Sequence, residues 1–233
     1  MLVSAARRVA SMLFGGRCFL CRGASPDGQV LCAPCRNDLP GMPAPQCPCC
    51  ALPSPDGAIC GRCLAKPPLY DATVAALVYA FPADVLVQSL KYRGELALAP
   101  LLGELLAAAL PADAGVDIML PVPLSGRRLR ERGYNQAVEI ARALPRTVQL
   151  APVLCARVRD TPAQSDLPWA ERARNVRDAF RCTRALDGLS VAVIDDVMTT
   201  GATLDAVAGA LKRAGAARVV NWVVARTLPP RDA

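Results

Sequence analysis

Histidine is absent from the sequence, aromatic residues are scarce, and no apolar run is long enough to cross a membrane. The 233 residues include no His, and Phe, Trp and Tyr together make up 4%. Without imidazole, the protein has neither a histidine general base nor histidine metal ligands. No run approaches the ~18 apolar residues of a transmembrane helix, so we expect no membrane span. Few aromatic rings are left for stacking on nucleic-acid bases, with Tyr134 and Trp169 the best-placed candidates.

The overall composition is that of a folded protein with metal sites. Hydrophobic residues make up 53% of the chain and charged residues 20%, which indicates a globular core beside a small module. The N-terminal stretch MLVSAARRVASMLFGG has arginines inside its apolar portion, and it predicts a short amphipathic helix rather than a signal peptide. Eight of the 11 cysteines form CxxC pairs, which indicates a reducing compartment, and we therefore expect the cytoplasm.

The positive charge is concentrated in one part of the chain. The formal net charge is +7, and residues 122–184 contain thirteen Arg against six Asp or Glu, which accounts for the whole excess. Such a segment attracts polyanions, either nucleic acid or a substrate that carries pyrophosphate. Two zinc ions on eight thiolates would lower the net charge to about +3, so net charge alone does not predict general affinity for nucleic acid.

The CxxC pairs near the N-terminus predict zinc ribbons. Each pair lets two sulfurs of one tight turn reach the same ion, and zinc prefers four thiolates in a tetrahedron. Four thiolates leave no open position, so we expect structural zinc that supplies the folding energy of this small module. The simplest assignment is two sites in series, although interleaved pairing stays open and Cys49 is able to replace a neighbouring ligand. The predicted ligands of the two sites are Cys18, Cys21, Cys32 and Cys35, then Cys47, Cys50, Cys60 and Cys63.

Beyond this module, strands and helices alternate. The prolines after Lys66 mark a boundary, which divides the chain into residues 1–66 and 69–233. Alternating elements predict an α/β fold with an open, mostly parallel sheet flanked by helices and ligands at the carboxyl ends of the strands. Residues 157–180 are Arg-rich and poorly periodic, and predict a long loop or flexible hairpin of the kind that often forms a lid. The predicted strands are 71–81, 116–120, 147–154, 191–194 and 219–224, and the predicted helices are 83–92, 96–110, 204–214 and one from residue 135.

Residues 191–203, VAVIDDVMTTGAT, carry the strongest indication of a ligand. An apolar strand is followed by Asp195 and Asp196, a turn with Gly201, and a helix that Thr203 is placed to cap. Backbone N–H groups, hydroxyls and a helix N-terminus converge in a way that suits a phosphate. The carboxylates can accept hydrogen bonds from sugar hydroxyls or hold Mg²⁺ through water.

This stretch resembles the 5-phosphoribosyl-1-pyrophosphate (PRPP) motif of type I phosphoribosyltransferases. Together with LPVPLSGRRLRERGYNQ at 120–136, LKYRGE at 90–95 and the Cys pairs, it makes the chain similar to the ComF family over nearly its whole length. The resemblance implies a type I phosphoribosyltransferase fold in which Asp195 and Asp196 bind the ribose hydroxyls and Mg²⁺, and 157–180 is the lid. It further implies a 5-phosphate site at Thr199, Thr200, Gly201, Ala202 and Thr203, and a pyrophosphate site at Arg127, Arg128 and Arg132.

Two positions depart from what the resemblance leads us to expect. Ser125 stands where members of the family often carry His, and Thr199 stands where purine-type transferases commonly place a base-protonating Asp. The prediction is therefore a protein that binds Mg–PRPP and acts in competence or DNA uptake, with phosphoribosyl transfer to an acceptor that the sequence does not identify. The alternative is a non-catalytic protein that handles single-stranded DNA, together with competence or recombination proteins, and uses PRPP as a regulatory ligand. The sequence does not indicate an oligomeric state.

Overall fold

A computed structural model describes residues 16–25, 29–144, 148–159 and 179–229. The predicted N-terminal helix lies mostly outside these residues. So do Trp169 and all of the predicted lid except its two ends. Within the described residues, the longest helices have 12 residues, and none is long and apolar enough to cross a membrane.

The core of the molecule is a five-stranded parallel sheet. Its strands in chain order are β1 (Ala72–Val78), β2 (Ile118–Pro121), β3 (Gln149–Leu150), β6 (Ser190–Met198) and β7 (Arg218–Arg226), and their order in the sheet is β1-β7-β6-β2-β3. A separate antiparallel pair is formed by β4 (Cys155–Arg157) and β5 (Phe180–Cys182) at the two ends of the predicted lid. The predicted α/β fold with a Cys-rich N-terminal module is confirmed.

Helices cover both faces of the sheet. The described helices are α1 (Ala33–Asn37), α2 (Gly61–Ala65), α3 (Ala83–Tyr92), α4 (Leu98–Ala109), α5 (Gly126–Arg132), α6 (Gln136–Ala141) and α7 (Ala202–Arg213), with a 3₁₀ turn at Pro55–Gly57. Because successive strand residues point to opposite faces, Val191 and Val193 pack towards α7 while Ala192 and Ile194 pack towards α3, α4 and α6. Burial on both faces explains the continuous apolar runs of β6 and β7.

The two halves of the N-terminal module pack on opposite faces of the sheet. Cys18, Leu31 and Cys32 belong to the core on the α3–α4 side, whereas Cys47 and Cys50 belong to the core on the α7 side. Each half therefore covers apolar surface that the α/β part of the chain leaves open on one face.

Several element boundaries differ from the sequence prediction. The third predicted strand is reduced to Gln149–Leu150, and β6 continues to Met198 instead of ending at Ile194. The sequence did not predict α5 as a helix, because none of its residues is buried and it has no apolar periodicity. Its boundaries come instead from a Ser125 N-cap and from Gly133, which ends the helix at φ 82°.

Candidate ligand-binding site at the end of the parallel sheet

A crevice opens where β6 runs past its neighbour β2. The pairing of β2 with β6 ends at Pro121 and Ile194, but β6 stays paired with β7 as far as Met198. The chain leaves β2 towards β3 and leaves β6 towards β7, so the crevice lies at the topological switch point of the sheet. Open α/β sheets bind ligands at this place.

The two adjacent carboxylates lie in the crevice but inside the strand, not after its end as the sequence predicted. Asp195 is 8% exposed and Asp196 is 2% exposed. The N–H of Asp196 donates to Asp195 Oδ1 at 2.9 Å, and the N–H of Val197 donates to Asp196 Oδ1 at 3.0 Å. Both carboxylates are therefore held in fixed positions by the backbone that follows them.

Lys91, the penultimate residue of α3, forms an ion pair with this acid pair. Its Nζ lies 2.9 Å from Asp196 Oδ2. Burial alone would raise the pKa of Asp196, but the Lys91 ammonium outweighs it and lowers that pKa below its usual value. Burial and the neighbouring Asp196 charge together raise the pKa of Asp195 well above its usual value. One lysine thus neutralises one of two buried acids, and a metal ion or donating sugar hydroxyls would relieve the second.

Positively charged side chains face the acids across the crevice, whose volume is about 950 Å³. Arg127 is exposed on α5, and its Nε lies 3.7 Å from Glu131. Arg132 is half-buried, lies over the Tyr92 ring at 5.8 Å and donates to the side-chain oxygen of Gln136. The cationic residues that line the crevice are Lys91, Arg127, Arg128, Arg132 and Arg157.

All three arginines predicted to contact pyrophosphate therefore line the same crevice as the acids. Arg157 adds a further cation from the base of the predicted lid, where its guanidinium lies 5.6 Å from the centre of the Phe180 ring. Planar guanidinium groups can each contact two oxygens of one phosphate, so the arrangement suits a ligand with several phosphate charges.

The predicted phosphate loop is a tight turn between β6 and α7. Thr199 and Thr203 line the crevice. Gly201 has φ 84°, a left-handed value that a residue with a Cβ rarely adopts. The prediction that Thr203 caps the helix is wrong, because α7 begins at Ala202 with Gly201 as N-cap, and the Thr200 hydroxyl accepts from the Ala202 N–H at 3.1 Å.

Two residues beside α5 and α6 have structural roles. Asn135 caps α6: its Oδ1 accepts from Ala137 N–H at 3.0 Å, and its Nδ2 donates to the Val122 carbonyl at 3.0 Å. The Tyr134 hydroxyl donates to the Leu90 carbonyl while its ring lines the crevice. Tyr134 is half-buried, which limits its use as a stacking platform for nucleic-acid bases.

We predicted no role for Lys91 from the sequence, although LKYRGE was part of the resemblance. A lysine in the last turn of an amphipathic helix ordinarily interacts with the helix dipole. Only the packing of α3 against the sheet brings it to Asp196, so no local pattern predicts the pair.

The eight CxxC cysteines form two separate clusters, in series. The four sulfurs of Cys18, Cys21, Cys32 and Cys35 lie within 4.8 Å of one another, and so do those of the second set. In a tetrahedral site with zinc–sulfur bonds of about 2.3 Å, sulfurs are about 3.8 Å apart. The Cys21–Cys32 and Cys50–Cys60 sulfur distances are 3.7 and 3.6 Å. The donor set therefore fits structural zinc at two sites, formed by Cys18, Cys21, Cys32 and Cys35 and by Cys47, Cys50, Cys60 and Cys63.

One cysteine of each cluster has a lowered pKa, which favours its thiolate, whereas burial and hydrogen bonds with neighbouring thiols raise the pKa of other ligands in both clusters. Burial raises the pKa of a thiol, but backbone N–H groups that donate to the sulfur outweigh it, and lower the pKa of Cys18 to about 6 and of Cys47 to about 7. Cys49 is not part of the second cluster, and burial raises its pKa. It therefore packs as a buried thiol beside the zinc site.

Comparisons with known proteins agree with this architecture. Residues 9–64 match the double zinc ribbon domain family. The DNA utilization protein YhgH of Salmonella typhimurium is 37% identical over 224 residues, which cover 91% of this chain and 98% of that protein. Competence protein F of Haemophilus influenzae is 30% identical over 229 residues, with the same coverage. Competence protein ComFC of Bacillus subtilis is 29% identical over 206 residues, or 84% of this chain and 83% of that protein.

The fold and the cysteine clusters define a class of protein in which a double zinc ribbon precedes a parallel α/β domain with an acid pair at its switch point. Within that class, the chain belongs to the ComF family of competence proteins.

Proposed function

We propose that the crevice binds Mg–PRPP and that the protein acts in the cytoplasm in DNA uptake and utilization. The observation that carries the proposal is the meeting of a buried acid pair, five cations and a glycine-containing turn in one crevice of about 950 Å³. The names of the relatives support the second half, because they are DNA utilization and competence proteins.

Each part of PRPP has a complementary group. Asp195 and Asp196 accept hydrogen bonds from the ribose hydroxyls, the turn from Thr199 to Thr203 holds the 5-phosphate, and the arginines of α5 contact the pyrophosphate. Bound Mg²⁺ would reduce the negative charge of the pyrophosphate, and the acid pair suits a metal that is usually held by one or two carboxylates together with substrate phosphates.

Transfer of the phosphoribosyl group requires no protein nucleophile. The residues of the crevice align the ribose and stabilise the departing pyrophosphate with fixed positive charge. The absence of histidine is compatible with such a reaction. We therefore propose that the protein belongs among the phosphoribosyltransferase-like proteins. If it turns over PRPP, the anomeric carbon of the ribose forms a bond to an acceptor of unknown identity, and its bond to pyrophosphate breaks so that pyrophosphate leaves.

The direct test is isothermal titration of the full-length protein with PRPP in the presence and absence of Mg²⁺. We expect saturable binding with Mg²⁺, and a loss of at least tenfold in affinity for Asp195→Asn combined with Asp196→Asn. Asp38→Asn is a matched control, because Asp38 is exposed and lies outside the crevice. Absence of binding by the wild-type protein, or an unchanged affinity of the double variant, would refute the proposal.

A non-catalytic role in handling single-stranded DNA, with PRPP as a regulatory ligand, is the second candidate. The concentration of arginine in residues 122–184 favours it. Affinity for a single strand, measured against salt concentration with and without Mg–PRPP, separates the candidates. A flat salt dependence excludes phosphate contacts, and pyrophosphate release from PRPP excludes a purely regulatory ligand.

A further inference from the structure

Two arginines connect the second zinc ribbon to the turn between β6 and α7. Arg62 lies in α2, between the zinc ligands Cys60 and Cys63, and its Nη2 donates to the Thr200 carbonyl at 2.9 Å. Arg226 is the last residue of β7 and is 1% exposed. It is a buried cation whose contacts are to backbone carbonyl groups.

The contacts of Arg226 join the ribbon and the turn directly. Its Nε donates to the carbonyl of the zinc ligand Cys50 at 2.9 Å. Its Nη1 donates to the Met198 carbonyl at 2.8 Å and to the Thr199 carbonyl. One planar guanidinium therefore binds both the second zinc ribbon, at Cys50, and the start of the turn. A more flexible ammonium group does not reproduce this fixed set of donors.

Together the two arginines hold three consecutive carbonyls, those of Met198, Thr199 and Thr200. In a planar trans peptide, the N–H of the next residue points opposite to the carbonyl. The N–H groups of Thr199, Thr200 and Gly201 therefore point away from the arginines that hold these carbonyls. Consecutive backbone N–H groups that are left free to face a ligand are the groups that bind anions in such turns.

The turn also packs tightly against the chain that leaves the ribbon. A Cβ placed on Gly201 would lie 3.0 Å from the Tyr70 hydroxyl and 2.8 Å from Met198 Cε. Tyr70 itself is buried beside Cys49, Cys50 and Cys63 in the same core. The backbone of the turn thus has little room to move as long as the second ribbon keeps its shape.

The first ribbon has no comparable contact with the turn among the described residues. Its Arg36 lies 3.6 Å from Glu104 of α4, on the other side of the sheet. The two zinc sites therefore differ in what they support, although their ligand spacing is similar.

We infer that Arg62 and Arg226 are positioning residues for the anion-binding turn, and that zinc in the second ribbon, but not in the first, maintains the geometry of that turn. The inference rests on the proposed function only for the identity of the ligand, PRPP. It makes the second ribbon a structural part of the ligand site.

The first experiment measures PRPP affinity of full-length variants by titration calorimetry. Arg62→Ala removes a charged hydrogen bond to the turn, and we expect affinity to fall about tenfold. Arg62→Lys, which keeps one cationic donor, should recover most of the loss. Arg36→Ala is the matched control and should change affinity by less than about twofold. An unchanged affinity for Arg62→Ala, or an equal loss for Arg36→Ala, would overturn the inference.

The second experiment needs no ligand. Hydrogen exchange is measured at the Ala202 and Asp205 amides, which donate to the Thr200 hydroxyl and to the Gly201 carbonyl. It is compared between Cys60→Ser combined with Cys63→Ser and Cys18→Ser combined with Cys21→Ser, with zinc content measured for each. We expect faster exchange when the second site is lost, but not when the first site is lost. Exchange should also be faster in Arg62→Ala, which leaves both zinc sites intact. Equal exchange rates in both cysteine variants would contradict the inference. If wild-type protein does not bind PRPP, the proposed function fails, while the exchange data still decide the coupling.

Discussion

Replacement of Lys91 by methionine should destabilise the protein, because it leaves a buried carboxylate without its counter-charge. The side chain of Asp196 is 3% exposed and that of Lys91 is 26% exposed, and their charged atoms are 2.9 Å apart. Methionine keeps the aliphatic length of the lysine but removes the ammonium group. The substitution therefore isolates the charge from the packing.

The expected loss is about 3 kcal/mol. At an effective dielectric constant of about 20, the charges attract by roughly 6 kcal/mol. Loss of one partner of a buried pair typically costs about 3–5 kcal/mol, and the partial exposure of Lys91 favours the lower end. For a chain of this size the melting temperature should fall by roughly 6–12 °C. Lys212→Met is the matched control, because Lys212 pairs with Asp71 at 2.8 Å nearer the surface. This substitution should lower the free energy of unfolding by less than about 1 kcal/mol.

The pH dependence gives an independent check. Lys91 lowers the pKa of Asp196 in the folded protein, so its stabilisation is present above about pH 4 and is lost as pH falls through the folded-state pKa. The difference between wild-type protein and Lys91→Met should therefore shrink in acid. Melting curves of both single variants and of Lys91→Met combined with Asp196→Asn complete a double-mutant cycle. Additive losses in that cycle, or a difference that persists unchanged at pH 3, would refute the reasoning.

Three further predictions test other parts of the structure. Asp195→Asn should raise the free energy of unfolding by about 1–2 kcal/mol at pH 7. Because the folded protein raises the pKa of Asp195, this gain should vanish as pH falls below about 4; a gain that is the same at all pH values contradicts it. Metal analysis of protein purified without chelator should give two zinc ions per chain, and a strong chelator should lower the melting temperature; fewer than two ions would contradict the serial sites. Gly103→Ala should cost about 1–3 kcal/mol because the new methyl would lie 2.5 Å from Ala143 Cβ and 2.8 Å from the Ile140 carbonyl, whereas Gly41→Ala meets nothing within 4 Å and should be neutral in the same melts.

Local sequence patterns predicted those parts of the structure that are determined by residues close together in the chain. The CxxC spacing identifies both zinc sites because each pair acts within one turn, and the apolar runs of β6 and β7 identify the strands buried on both faces. The end of β6 was placed too early, because Asp195 and Asp196 read as polar residues after a strand. The pairing of β6 with β7 keeps these residues in the sheet, and β7 lies more than twenty residues further along the chain.

Contacts between distant elements account for what the sequence did not predict. Lys91 and Arg226 both reach the site from elements far apart in the chain, and neither lies in a motif that indicates its partner. A charged residue at the end of an apolar strand ordinarily marks the return to solvent, yet Arg226 is fully buried by carbonyl groups. Tertiary packing determines the burial and the partners of such charged residues, and the periodicity of a single helix or strand does not predict them.

The strand order has a consequence for the synthesis of the protein on the ribosome. Among the described strands, β1 pairs only with β7, and Thr73 contacts a residue 148 positions later, Asn221. A nascent chain therefore carries β1 without its partner strand until nearly the whole domain has been made. The ribbons, whose ligands all precede β1, can capture zinc much earlier. Zinc binding therefore comes first in this order. The later insertion of β7 between β1 and β6 brings Arg226 to the second ribbon, and this step completes both the sheet and the candidate site.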